Sequence, residues 1–143
     1  MELPNLKILL AEHEPWITDA FERFFRCKGC FLVTVNSTED GIGLLEKEQF
    51  DVVASEYELS GEEGLEIFKC AKSSNPDSVN ILIINYGHPD PVPEEYKYAV
   101  DGIIEKPFPF QMFLEILSGR IQNNPGDGKT QFSCSGNTER GVQ

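Results

Sequence analysis

The chain has 143 residues, enough for one domain around one core, and 40% of them are hydrophobic. A formal net charge of −12 excludes a nucleic-acid surface, which needs clustered Lys and Arg, and works against docking on an anionic membrane. No apolar run approaches the ~20 residues that span a bilayer. The start, Met1-Glu2-Leu3-Pro4, does not resemble an export signal, so the expectation is a cytoplasmic protein whose four cysteines are free thiols.

Taken in chain order, short apolar runs alternate with amphipathic stretches. Leu6 to Ala11 reads as a strand. Pro15 to Cys27 reads as a helix, with Ile17, Ala20, Phe21, Phe24 and Phe25 at three- and four-residue spacing, Pro15 suited to the first turn and Gly29 just past the end. Phe31 to Val35 is a second strand. Ser37 with Asp40 resembles a capping box opening a helix through about Lys47. Asp51 to Ser55 is a third strand and Gly61 to Lys72 a third helix. Asn80 to Asn85 is an almost wholly aliphatic fourth strand. The prolines at 89, 91 and 93 oppose helix, which delays the next one to Glu94–Ala99. Gly102 to Glu105 is a fifth strand, and Phe110 to Ile121 the last helix.

Strands that are apolar throughout, rather than alternating, are buried on both faces. The pattern predicts an α/β fold: a doubly wound, five-stranded parallel sheet of order 2-1-3-4-5 with helices on both faces. It occupies residues 1–121. Residues 122–143 are too polar to offset ordering entropy and read as a disordered tail or linker.

In such a sheet, sites form beyond the C-terminal strand ends, where strand order reverses. Those ends are Glu12-His13-Glu14, Glu56-Tyr57-Glu58, Asn85-Tyr86 and Lys106-Pro107. They bring carboxylates, one lysine and one asparagine to one crevice. Clustered carboxylates raise one another's pKa and call for a hard cation or a lysine, and Lys106 is placed to pair with Glu56.

These residues carry a resemblance. Ile8-Leu9-Leu10-Ala11-Glu12-His13-Glu14-Pro15, Phe50 to Glu56, Gly61-Glu62-Glu63-Gly64-Leu65-Glu66 and Asp101-Gly102-Ile103-Ile104-Glu105-Lys106-Pro107-Phe108 resemble the response-regulator receiver domain of two-component signalling, over roughly Leu6 to Ile121. The resemblance implies the flavodoxin-like receiver fold and a cis Lys106-Pro107 bond. The family has two acids after strand one that bind Mg²⁺, an Asp after strand three that attacks phosphorus, a Thr or Ser after strand four, and a Lys after strand five. Here Lys106 is retained and Glu12 keeps a carboxylate. His13 replaces the second acid, Glu56 the nucleophile and Asn85 the hydroxyl residue, and Ile103 stands at the switching aromatic position.

Each departure has a physical consequence. Glu carries its carboxylate about 1.5 Å further than Asp, and in-line transfer depends on placement at that scale. His13 is a poor ligand for Mg²⁺, which prefers oxygen. The expectation is a pseudo-receiver, not an enzyme, that needs no cofactor and works through protein contacts. Its partner would be a histidine kinase or another signalling protein, with pairing of two copies open to it. Glu12, His13 and Glu58 form the acidic pocket, and Mg²⁺ binds weakly, if at all, through Glu12 and Glu56 with the Glu58 carbonyl. One alternative is a divergent receiver that is still phosphorylated. Another is a thiol redox or metal protein built on Cys27 and Cys30, although that Cys-x-x-Cys ends a helix, where the dipole does not lower a thiol pKa. No glycine-rich loop follows strand one, which argues against a flavin or nucleotide site.

Overall fold

Five short, mostly aliphatic runs pair as one parallel sheet of order β2-β1-β3-β4-β5, in which the central strands β1, β3 and β4 are buried almost throughout while the edge strands β2 and β5 are partly exposed. The computed structural model describes residues 5–60, 64–88 and 91–122. The strands are β1 (Lys7–Ala11), β2 (Phe31–Val35), β3 (Val52–Glu56), β4 (Val79–Ile84) and β5 (Gly102–Glu105). The helices are α1 (Pro15–Arg26), α2 (Thr38–Leu45), α3 (Tyr57–Ser60), α4 (Gly64–Ser74), α5 (Glu94–Ala99) and α6 (Phe110–Gln122).

The sheet separates two apolar layers. Ile17, Phe21 and Phe25 of α1 and Phe113 and Leu117 of α6 pack on one face, against Ile8, Leu10, Val52, Ala54, Ile81 and Ile83. Leu45 of α2, Ile67, Phe68 and Ala71 of α4, and Tyr96 of α5 cover the other, against Leu9, Val53 and Leu82. Alternate strand residues feed alternate layers, as the two-residue period requires.

Predicted and observed elements agree in type, with ends shifted by a residue or two. β2, α5 and β5 match the predicted spans. Ser37 caps α2 as expected, its Oγ accepting from the Asp40 amide at 3.0 Å, but the helix ends at Leu45 rather than Lys47. The third strand runs one residue further than predicted and includes Glu56. The stretch after β3 departs from expectation. A four-residue helix, α3, takes the place of a loop, and the third predicted helix is described over Gly64–Ser74, its predicted start at Gly61 lying outside the described residues. Residues 61–63 and the predicted tail from 123 onward lie outside the described residues.

Phe21 is the pivot of the first layer. Its ring lies 5.0–6.3 Å from those of Phe25, Phe108, Phe110 and Phe113, three of them edge-on. Phe108 comes directly after Lys106-Pro107, whose peptide bond is cis, so this cluster seats the loop that carries the site lysine. Phe21→Ala should cost about 3–5 kcal/mol, the usual loss for a fully buried Phe, read as a lowered midpoint in urea unfolding.

Candidate functional site

The C-terminal ends of β1, β3 and β5 meet where the strand order reverses. The Glu12 amide donates to Val35 O at 3.0 Å and the Lys106 amide to Ile84 O at 2.9 Å, so both residues extend the sheet's own hydrogen bonding into the site. Glu56 is the last residue of β3, opposite Ile83.

Lys106 is the centre. Its Nζ donates to Glu14 Oε1 at 2.8 Å, Glu12 Oε2 at 3.0 Å and Glu56 Oε2 at 3.1 Å. An ammonium group has three N–H bonds, and each has a carboxylate. Lys106, Glu12 and Glu56 are 4%, 1% and 0% exposed, so these are buried ions. The second oxygen of Glu56, Oε1, sits 2.6 Å from His13 Nδ1. Both oxygens of Glu56 are therefore engaged. Glu12 differs: Oε2 also accepts from the Glu14 amide at 3.2 Å, whereas Oε1 is buried without a partner.

The charges sort accordingly. Burial pushes the Glu12 carboxyl from 4.5 up to about 7, against the opposing pull of Lys106. Burial would raise Glu56 too, but hydrogen bonds from His13 and Lys106 outweigh it and hold that carboxyl below its ordinary value. The bond to Glu56 raises the His13 imidazole above its ordinary value, against a smaller desolvation effect. Burial works to lower Lys106, but its carboxylate partners prevail and raise it. Glu56 is thus the fixed anion, while Glu12 titrates near neutrality.

The predicted site residues divide. Glu12, His13, Glu56 and Lys106 converge, and Glu12, His13 and Glu56 each offer a ligand atom within 4.8 Å of the others. Glu58 does not join them: its Oε2 lies 2.7 Å from His88 Nδ1, in a pair walled by Tyr57, whose ring stands edge-on to His88. Asn85 lies half-buried just after β4, with no side-chain hydrogen bond among the described residues. Ile103 is 37% exposed on β5. Cys27 is exposed at the end of α1, and Cys30 precedes β2 at the opposite end of the strands, its thiol pKa pushed up by burial. A redox thiol needs the reverse shift, and no described cysteine joins the candidate ligand group.

The roles of two participants escape sequence reasoning. Glu14 reads only as a polar strand end, though the alternation of acids at 12 and 14 is a usable signal. His88, among prolines, offers none.

The response regulator receiver domain family model matches residues 8–118. The chain belongs to that family. The receiver's relatives include the response regulator protein FleR of Pseudomonas aeruginosa, 24% identical over 126 residues, which are 85% of this chain but 27% of FleR. The chain thus spans about a quarter of that relative's length. Among solved structures, a receiver protein from Sinorhizobium medicae superposes with a TM-score of 0.68 at 22% identity, covering 82% of this chain and 95% of that one. The receiver domain of sensor histidine kinase PA1611 from Pseudomonas aeruginosa, with magnesium in its active-site cleft, gives 0.67 at 17% identity, covering 83% and 99%. At these identities the structures speak for the fold. No helix among the described residues is long and apolar enough to cross a membrane.

The raised Glu12 pKa has a signed consequence. The folded state binds more protons than the unfolded chain between pH 4.5 and about 7, so stability falls as pH rises through that window. His13, raised as well, loses its contribution as pH climbs past its folded value. Glu56, lowered, acts in the opposite sense, and its contribution is lost only as pH falls below 4.5. Glu12→Gln should flatten the decline between 4.5 and about 7, measured by denaturant unfolding across that range.

Proposed function

We propose that this receiver domain is a pseudo-receiver: a protein-interaction module, not an enzyme, in which Glu56 stands in place of the phosphoacceptor aspartate and the domain signals without accepting a phosphoryl group. One observation carries the reading. Glu56 is 0% exposed, with Oε1 on His13 and Oε2 on Lys106. In-line attack needs a carboxylate oxygen free to meet phosphorus at about 3–3.5 Å, and here both are held, Oε1 by His13 and Oε2 in a buried pair with Lys106.

The Mg²⁺ that such chemistry requires finds a poor donor set. Lys106 Nζ already lies against Glu12 Oε2 and Glu56 Oε2, and His13 supplies nitrogen where Mg²⁺ selects oxygen. The residues present do not fit that ion, so the reading needs no cofactor. The built-in charge pair takes the place of phosphorylation in holding one conformation of the domain, and output passes through a signalling-protein partner such as a histidine kinase.

A phosphorylatable receiver is the second reading, favoured by the retained Glu12 and Lys106. Intact mass after incubation with acetyl phosphate and Mg²⁺ separates the two. The pseudo-receiver reading expects no adduct on folded protein. A phosphoryl adduct that disappears in Glu56→Ala would establish Glu56 as an acceptor and overturn it.

A further inference from the structure

β2 is an edge of the sheet and pairs with β1 alone. The Phe31 amide donates to Leu6 O at 2.8 Å, and Val35 O accepts from the Glu12 amide at 3.0 Å. In a parallel ladder the groups that bond to one side come from alternate residues, so Phe31, Val33 and Val35 face β1. The N–H and C=O of Leu32 and Thr34 therefore point outward, and among the described residues nothing pairs with them. Such a row templates pairing with another strand unless charge, proline or a covering element blunts it. The opposite edge is blunted: β5 carries Glu105 and runs into Lys106-Pro107. β2, Phe31-Leu32-Val33-Thr34-Val35, holds neither a charge nor a proline, and none of its residues is fully buried. Phe31, the largest of them, is 65% exposed.

We propose that β2 pairs with β2 of a second copy of this chain, antiparallel about a two-fold axis that passes through Val33 perpendicular to the sheet, so that the two sheets become one. Three observations select a second copy. The outward groups are symmetric about Val33. With Leu32 opposite Thr34 of the second copy, and Thr34 opposite its Leu32, each pair exchanges both N–H···O bonds, and no outward group of β2 is left over. The side chains also match: Val33 meets its own copy and the exposed Phe31 meets Val35 of the second copy, an aromatic on a β-branched residue, with no like charges opposed in the strands. The neighbouring helix supplies charge complementarity. This axis keeps α1 on the same face as its copy and runs the two antiparallel. The exposed charges of α1 divide along its length, the acids Asp19 and Glu22 before the bases Arg23 and Arg26, so the acidic half of each helix lies toward the basic half of the other. The contact is self-complementary and closes at two copies. The net charge of −12 on each chain opposes approach at long range, but it is screened beyond about 8 Å at physiological ionic strength.

The test is sedimentation equilibrium of the full chain at physiological ionic strength, from micromolar to millimolar concentration, beside amide hydrogen exchange read by NMR over the same range. A monomer–dimer equilibrium is expected. Protection of the Leu32 and Thr34 amides should rise with the dimer fraction, while the amides of Phe31, Val33 and Val35, already bonded to β1, keep the protection they have. Thr34→Pro removes an N–H that the monomer does not use and should weaken the dimer at least about tenfold, with the far-ultraviolet circular dichroism unchanged. Val33→Lys sets two ammonium groups face to face on the axis and should weaken it by a similar factor. Should either variant fail to fold, the exchange pattern of the unaltered chain decides. A chain that is monomeric throughout, a dimer that survives both substitutions, or a dimer whose Leu32 and Thr34 amides exchange as fast as the monomer's would overturn the proposal.

Discussion

Lys106 sets the terms for everything at the C-terminal end of the sheet. A buried ammonium group is tolerated only when its charge is balanced and its donors are used, and here three carboxylates from two strand ends do both. Glu12 and Glu14 arrive from β1 and Glu56 from β3, so β1, β3 and β5 must all be in register for any of these ions to be buried. The constraint reaches back into the apolar layer. Phe108, two residues beyond Lys106, lies against Phe21 of α1, which ties the position of the ammonium group to core packing rather than to loop conformation.

In a pseudo-receiver, the same interaction accounts for the departures from the receiver pattern as a set. A glutamate at the acceptor position brings its carboxylate to both His13 and Lys106, one oxygen to each. The histidine that stands where the family has a second acid is what engages Glu56 Oε1. Lengthening the acid and exchanging the second acid for an imidazole are thus complementary changes, and each alone would leave a buried carboxylate under-satisfied. The leftover oxygen falls to Glu12, the residue whose carboxyl burial pushes to about 7.

Much of this was legible in the sequence, for identifiable reasons. Strand runs such as Asn80-Ile81-Leu82-Ile83-Ile84 are too short for a helix and too apolar for a surface strand, so sheet type and order came from periodicity and connection rules. The rule that sites lie beyond the strand ends placed Glu12, His13, Glu56 and Lys106 together. What it could not supply was direction. Glu58 lies two residues past Glu56 and shares its chemistry, but α3 turns it toward His88, and nothing in Tyr57-Glu58-Leu59-Ser60 marks a one-turn helix against a loop. His13 was legible as a missing acid and not as a partner, because a hydrogen bond between residues 43 apart depends on side-chain geometry that spacing does not encode.

Glu56 serves as an internal counter-ion to Lys106. A double-mutant cycle on unfolding free energy with Glu56→Gln and Lys106→Met measures that directly. The account predicts single changes that are each strongly destabilising and a coupling of roughly 1–3 kcal/mol between them, with the double variant less damaged than the sum. Additive single effects, with coupling near zero, would show that the two charges do not depend on one another and would contradict the account.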